Sequence, residues 1–230
     1  MSWFTKTISG TIGKKVLMAL TGLFLILFLV VHMAGNLQLL FNDEGMAFNI
    51  YAAGMASNVF IKTVSYGNFL FILIHIIDGI ILTFQNRSAR NIRYAVSTKD
   101  SKSSWASKNM ALLGIITLVF IIAHLKGFWG EFKFGQIPTV LYEGVEFKNV
   151  YLIVADAYSN PLISAFYVVC MIFLGFHLSH GFSSAFQSLG LNHKKYTPLI
   201  EKLGVAYSIL VSFGFAIIPI VMYLKSIDII

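Results

Sequence analysis

Charged residues are scarce in this chain of 230 residues. Lysine, arginine, aspartate and glutamate together make up 12% of the sequence, whereas about a quarter is usual for soluble domains. Hydrophobic residues account for 57%, and the mean hydropathy is +0.77. Several runs approach or exceed the roughly 20 apolar residues that cross a bilayer. The composition therefore excludes a soluble globular domain and predicts an integral membrane protein.

Cysteine is nearly absent, since Cys170 is the only one and lies inside an apolar run. This excludes an internal disulfide and a thiolate metal cluster. The first long apolar run lacks a small-residue cleavage site, so we expect no signal peptide. The sequence also lacks a glycine-rich phosphate loop, a nucleophile triad motif and a dinucleotide fingerprint.

The hydrophobic pattern predicts a single all-α transmembrane domain over residues 1–230, built as a bundle of five membrane-spanning helices. We expect these helices at about 16–40, 65–85, 109–129, 161–187 and 203–225. The long connection between the third and fourth helices is acidic and mixed in character. We expect it to lie along the membrane interface.

The net charge of +7 is distributed unevenly between the connections. Basic residues concentrate before the first helix and in the second and fourth connections: Lys6, Lys14, Lys15, Arg87, Arg90, Arg93, Lys99, Lys102, Lys108, Lys194, Lys195 and Lys202. Cytoplasmic loops of membrane proteins carry an excess of lysine and arginine. We therefore expect a cytoplasmic N-terminus and an external C-terminus. The positive charge indicates membrane orientation and not nucleic-acid binding.

Histidine occurs where a membrane protein normally avoids polar groups. The first four predicted helices contain His32, His75, His124, His177 and His180, and the fifth contains none. Ionisable residues within a membrane are energetically expensive and usually functional. A lone histidine often bonds a neighbouring helix backbone, but one on each of four helices favours a cofactor site.

Depth along the helices sorts the histidines into two layers. At 1.5 Å per residue, the segment from Lys15 to His32 spans about 25 Å, and His124 lies at a matching depth. His75 and His177 lie about 20–24 Å from the outer ends of their helices by the same rise. We therefore expect one layer of two imidazoles towards the outside and a second towards the cytoplasm.

Haem fits such layers better than a bare metal ion. No neighbouring carboxylate or thiolate completes a zinc or iron coordination sphere, whereas a porphyrin brings four ligands and needs two imidazoles. Gly79 and Gly181 each follow a histidine by four residues and share its helix face. A glycine there lets a flat macrocycle approach the backbone, although small residues also help membrane helices to pack. The spacing favours His177 as the ligand, and His180 remains an alternative ligand or a contact for a haem propionate or a quinone.

Four motifs carry a resemblance to a known family: HMAGN (32–36), HIIDG (75–79), IAHLKGFW (122–129) and FHLSHGFSSAFQSLG (176–190). With their order and spacing, they resemble the five-helix, two-haem cytochrome b membrane subunits of succinate dehydrogenase and fumarate reductase (respiratory complex II). The resemblance covers nearly the whole chain. It implies two haems b, one held by His75 and His177 near the cytoplasm and one by His32 and His124 near the outer face.

The resemblance also implies a location in the bacterial cytoplasmic membrane and two soluble partners on its cytoplasmic side. These are a flavoprotein with FAD, where succinate is oxidised, and an iron–sulfur protein, so this chain would hold no dicarboxylate site. Menaquinone would bind near the outer haem, where Asn36, Gln38, Asp43 and Glu44 make the end of the first helix polar.

One polar residue of the family is missing here. Some members carry a glutamate close to the ligand on the fourth helix, and it has been linked to proton transfer. In this chain the neighbours of His177 are Phe176 and Leu178. Asp78 offers a carboxyl on the second helix instead, either as a proton relay or haem-proximal hydrogen-bond partner or as a group bonded to a neighbouring helix.

Two other functions stay open from the residues alone. A dihaem cytochrome b of another quinone-linked oxidoreductase, such as a hydrogenase or formate dehydrogenase, would keep the haems and change the soluble partner. A haem-free transporter or structural membrane protein would use the histidines as proton relays.

Overall fold

The computed structural model describes residues 10–88 and 104–230. Within this part, five helices are long and apolar enough to cross a membrane, and we call them the first to fifth spans: Thr11–Leu40, Val59–Ser88, Met110–Phe134, Pro161–Ser188 and Thr197–Ser226. This confirms the prediction of a helical, multi-pass membrane protein. Charges of the N-terminus and of the second connection fall outside the described residues, namely Lys6, Arg90, Arg93, Lys99 and Lys102.

Four of the five spans are longer than the sequence predicted, because hydropathy marks only the part of a helix that lies in hydrocarbon. The second span begins at Val59 instead of residue 65, and the fifth begins at Thr197 instead of residue 203. Their extra turns contain lysine, glutamate and serine, which are good or neutral helix residues outside the hydrocarbon layer. The ends of the fourth span agree with the prediction because its signals are local. The Asn160 side chain caps its start, ahead of Pro161, and Gly190 in the left-handed region follows its end.

The first four spans form a four-helix bundle. The first span packs against the second and the fourth, and the third span also packs against the second and the fourth. The first and third spans are thus one diagonal pair, and the second and fourth spans are the other. The fifth span packs mainly on the fourth and also on the first, where the Tyr207 hydroxyl donates to the Ile26 carbonyl at 2.6 Å.

One end of the bundle carries additional structure, which we call the capped end. It consists of the helix Met46–Ser57, the helix Val150–Ser159 and an antiparallel hairpin of β1 (Thr139–Tyr142) and β2 (Val145–Lys148). The opposite end, which we call the basic end, carries Lys14, Lys15, Arg87, Lys108, Lys194, Lys195 and Lys202. Successive spans run in opposite directions, so residues 10 and 230 lie at opposite ends.

Asn49 joins the elements of the capped end. This residue is only 1% exposed. Its Nδ2 donates to the Tyr142 hydroxyl at 2.9 Å and to Oδ1 of Asn149 at 3.1 Å. Its Oδ1 accepts from the Tyr151 backbone N–H at 2.9 Å. Because all of these bonds cross between elements, they fix the 46–57 helix to the hairpin and to the 150–159 helix.

Candidate functional site

Four histidines, one from each of the first four spans, meet in two pairs between the helices. The ring centroids of His32 and His124 are 5.8 Å apart, with an interplanar angle of 87°. Those of His75 and His177 are 6.4 Å apart, with an angle of 65°. Each pair joins diagonal spans of the bundle. These are the two pairs that the sequence analysis expected, while their role as metal ligands stays a prediction.

The two pairs lie at different depths, and we call them the capped-end pair (His32 and His124) and the basic-end pair (His75 and His177). Thr21 contacts the basic-end pair, and the segment from Thr21 to His32 rises about 16 Å along the first span. Tyr167 contacts the capped-end pair, and the segment from Tyr167 to His177 rises about 15 Å along the fourth span. Two helices therefore give the same separation between the pairs.

The spacing within each pair fits two imidazoles on opposite sides of one metal ion. With metal–nitrogen bonds of about 2 Å, the centroids of two such rings are about 6 Å apart. The observed distances of 5.8 and 6.4 Å lie close to this value, and they also lie within the range of ordinary edge-to-face ring packing. Among the described residues, no group of three or more histidine, cysteine, aspartate or glutamate side chains is placed to hold a metal ion. Each pair thus offers two protein ligands.

Aromatic rings surround the capped-end pair. Phe28 stacks on His32 at 5.2 Å, and Phe120 stacks on His124 at 5.6 Å. The rings of Phe128, Tyr167 and Phe215 complete the surroundings at 5.4–6.2 Å from one or other imidazole. The third span turns into a π-helix at Leu125–Gly130, directly after His124, and such turns are frequent at functional sites. These rings give the capped-end pair apolar, aromatic surroundings.

Tyr158 covers this aromatic cluster from the capped end. It belongs to the 150–159 helix, is 6% exposed, and its ring packs against Phe128 at 5.6 Å and Tyr167 at 5.3 Å. Burial raises the pKa of the Tyr158 phenol well above its usual value, and the neighbouring Tyr167 adds to this effect. The Tyr158 side chain therefore stays neutral and covers the aromatic cluster from the capped end.

The basic-end pair has a polar contact instead. The hydroxyl oxygen of Thr21 lies 3.1 Å from Nδ1 of His75. A Cβ added at Gly22 would lie 3.3 Å from Cε1 of the same ring, so the backbone of the first span lies against the imidazole. Thr21 was not among the residues predicted from the sequence. A signal was present, since Thr21 precedes His32 by three helical turns and shares its face.

The two glycines that the sequence analysis assigned to a macrocycle slot have different surroundings. A Cβ added at Gly181 would meet no atom of the described residues within 4 Å, so space is open one turn from His177. A Cβ added at Gly79 would lie 3.6 Å from Cε of Met18. Gly181 therefore has open space for an added side-chain atom, whereas Gly79 lies where the first and second spans pack.

Several buried polar atoms in the described part of the chain have no hydrogen-bond partner. They are Nδ1 of His124, Nδ1 of His177, Oδ1 of Asn68, Oδ2 of Asp78 and Oγ of Ser212. Leaving such a group unpaired costs about 1–3 kcal/mol, and native proteins usually avoid it. Each histidine pair contributes one of these atoms, and in both cases it is Nδ1, which a metal ion bound through Nε2 would leave without a partner.

His180 and Asp78 lie outside the two pairs. His180 is half-buried and lies one turn beyond His177 towards the basic end. The ring that lies opposite His75 is that of His177. Asp78 is 7% exposed, and its Oδ2 has no hydrogen-bond partner among the described residues. The alternatives for Asp78, a proton relay or a carboxyl held by a neighbouring helix, both remain predictions.

Asn36, expected near a quinone, contacts His32. Its Nδ2 donates to the His32 carbonyl at 2.7 Å and lies 3.3 Å from Nδ1 of the same histidine. Because an amide nitrogen only donates, this arrangement makes Nδ1 of His32 an acceptor. A neutral imidazole that binds metal through Nε2 carries its proton on Nδ1. Metal binding by His32 therefore requires the Asn36 amide to turn.

Comparison of the chain with protein-family models, with curated proteins and with solved structures finds no match in any of the three.

Proposed function

We propose that this chain is the dihaem cytochrome b membrane anchor of a succinate:quinone oxidoreductase and passes electrons between an iron–sulfur partner and menaquinone. The observation that supports this most is the meeting of four histidines on two diagonals, with ring centroids 5.8 and 6.4 Å apart. The capped-end pair would hold one haem b and the basic-end pair the other. When bound, each haem supplies a one-electron carrier buried in the membrane.

The surroundings of the pairs favour haem over a bare metal ion. Zinc sites take three or four protein ligands, whereas each pair here provides two. The rings of Phe28 and Phe120 give the capped-end pair apolar walls that exclude water. Gly181 leaves open space beside the basic-end pair. The chain itself thus supplies axial nitrogens, an apolar slot and separation of the two sites along the bundle.

The charge distribution supports an orientation with the basic end in the cytoplasm. Of the described lysines and arginines, seven lie at the basic end and five lie at the capped end, namely Lys62, Lys126, Lys133, Lys148 and Lys225. By sequence, Lys6, Arg90, Arg93, Lys99 and Lys102 are expected to add to the basic end. The flavoprotein with FAD and the iron–sulfur protein would then dock at the basic end. Menaquinone would bind at the outer side, near the capped-end pair.

Haem content of the purified full-length chain tests the first part of this proposal. We expect a dithionite-reduced minus oxidised spectrum with low-spin b-type bands and two haems per chain. The variant His177→Leu should lose one haem, whereas His180→Leu should keep two. His193→Leu is the control, because His193 is exposed in the loop before the fifth span. A colourless wild-type protein would overturn the proposal and favour a haem-free transporter or structural protein.

Succinate oxidation tests the second part. The complex purified through this chain, with its natural partners, should reduce a menaquinone analogue with succinate. A haem-loaded complex that lacks this activity and contains a hydrogenase or formate dehydrogenase would refute the succinate assignment while leaving the dihaem assignment in place.

A further inference from the structure

We propose that Thr21 is a positioning residue for the basic-end site. Its hydroxyl holds the proton of His75 on Nδ1 and fixes the ring, so that Nε2 is presented as the metal ligand. The identity of the bound group rests on the proposed function, whereas the hydrogen bond between Thr21 and His75 belongs to this chain alone.

The donor and acceptor roles follow from the bonds that Thr21 makes. Its side chain is buried, with 2% exposure. Its hydroxyl donates to the Leu17 carbonyl at 2.8 Å, and the Met18 carbonyl lies 3.1 Å away as a second acceptor. A hydroxyl has one proton to donate, and in Thr21 this proton is directed at these carbonyls. The oxygen therefore faces Nδ1 of His75 with a lone pair, and Nδ1 must be the donor in the 3.1 Å contact.

This arrangement selects one form of the imidazole. A neutral histidine with its proton on Nδ1 has its lone pair on Nε2, the form that binds metal through Nε2. The backbone at Gly22 lies against the ring edge, since an added Cβ would be 3.3 Å from Cε1. The first span thus fixes both the proton and the orientation of a ligand on the second span.

The other three histidines lack an equivalent acceptor among the described residues. Nδ1 of His124 and Nδ1 of His177 are buried without a partner. Nδ1 of His32 faces the amide nitrogen of Asn36, which is a donor. An acceptor at the far nitrogen raises the basicity of a metal-bound histidine. Thr21 should therefore favour the oxidised state of the metal at the basic-end site, and its loss should raise the reduction potential there.

The test compares Thr21→Val, which removes the hydroxyl at nearly constant shape, with Thr21→Ser, which retains it. Thr117→Val is the matched control, because Thr117 makes the same bond to its own helix, to the Leu113 carbonyl at 2.9 Å, on the third span. In the purified full-length chain, Thr21→Val should lower the affinity of one haem by about tenfold, the usual effect of removing such a partner. The potential of that haem should rise, and Thr21→Ser and Thr117→Val should behave as wild type. The remaining haem should be unaffected, and His177→Leu identifies which haem is which.

A second measurement is independent of haem. The nitrogen chemical shifts of His75 in the haem-free chain should show the proton on Nδ1 in wild type and a mixture of both forms in Thr21→Val. A wild-type His75 with its proton on Nε2 overturns the inference, as does a Thr21→Val protein with two haems, unchanged affinity and unchanged potential. A wild-type chain that binds no haem refutes the proposed function instead, and the His75 shifts then still decide the role of Thr21.

Discussion

Substitution of Gly181 can distinguish a haem-binding slot from ordinary helix packing. It lies one turn after His177 inside the fourth span, and a Cβ added there would meet no described atom within 4 Å. Glycine in a helix interior is about 1 kcal/mol less favourable than alanine. In the haem-free chain, Gly181→Ala should therefore raise the free energy of unfolding by about 1 kcal/mol, because the methyl group meets no clash.

The same substitution should have the opposite effect on haem binding. If the macrocycle coordinated by His177 lies against the Gly181 backbone, an added side chain enters the space that it uses. Overpacking of a close contact costs about 1–3 kcal/mol, which corresponds to roughly 5- to 150-fold in affinity. Gly181→Ala should fall at the low end of this range, and Gly181→Leu should lose the basic-end haem.

Two assays separate these effects. Thermal unfolding of the haem-free chain in detergent reports stability, and haem per chain with the rate of haem transfer to excess apomyoglobin reports affinity. Gly54→Ala is the control, because Gly54 is an exposed helical glycine at the capped end with the same open surroundings. A Gly181→Leu chain that keeps two haems and the wild-type transfer rate would refute the slot, and Gly181 would then serve only the close packing of helices.

Three further predictions concern the capped end. A Cβ added at Gly35 would lie 2.8 Å from Cζ of Tyr51, so Gly35→Ala should push the Tyr51 ring out of this contact and lower stability by about 1 kcal/mol. An unchanged melting temperature would contradict this contact. Asn49→Ala removes the acceptor of the Tyr151 N–H and should lower the free energy of unfolding by about 1–3 kcal/mol. Hydrogen exchange should become faster at the start of the 150–159 helix. Exchange as slow as in wild type would show that another acceptor binds this N–H. Because the pKa of Tyr158 is raised in the folded chain, the unfolded chain loses that proton first above about pH 10, so stability should fall with rising pH there. Melting curves from about pH 9 to 12 should show a shallower fall in Tyr158→Phe, and equal slopes would be evidence against burial of this phenol.

The number of spans and the two histidine layers were predictable because both depend on local properties. Hydropathy identifies a segment that needs a membrane, and the rise of 1.5 Å per residue converts sequence position into depth. Together, hydropathy and helical rise predict that His32 and His124 lie at the same depth, whatever the packing of the helices. The direction that each ring faces depends on how each helix is rotated about its axis, and depth alone does not give this rotation.

Contacts between spans needed the structure for the same reason. Thr21 reads as one polar residue in an apolar run, and its contact with His75 depends on which faces of the first and second spans meet. The hairpin was missed although Glu143 and Gly144 form a two-residue turn with φ of 50° and 81°, which is typical of tight hairpins. Its strands have only four residues each, too few for a clear alternation of polar and apolar positions.

The preference for His177 over His180 as a ligand was based on the equal spacing of Gly79 and Gly181 from a histidine. In the structure the two glycines have different surroundings. Gly79 lies beside Met18, where the first and second spans pack, while Gly181 has open space. A stronger reason lies in helix geometry. Three residues turn a helix by about 300°, so His177 and His180 point roughly 60° apart and only one of them lies opposite His75. In the structure this is His177, at 6.4 Å. His180 is half-buried and one turn nearer the basic end, and its expected contact with a haem propionate or a quinone stays a prediction. Loss of a haem in His180→Leu, with two haems retained in His177→Leu, would reverse this assignment and require the fourth span to be rotated by about 60°.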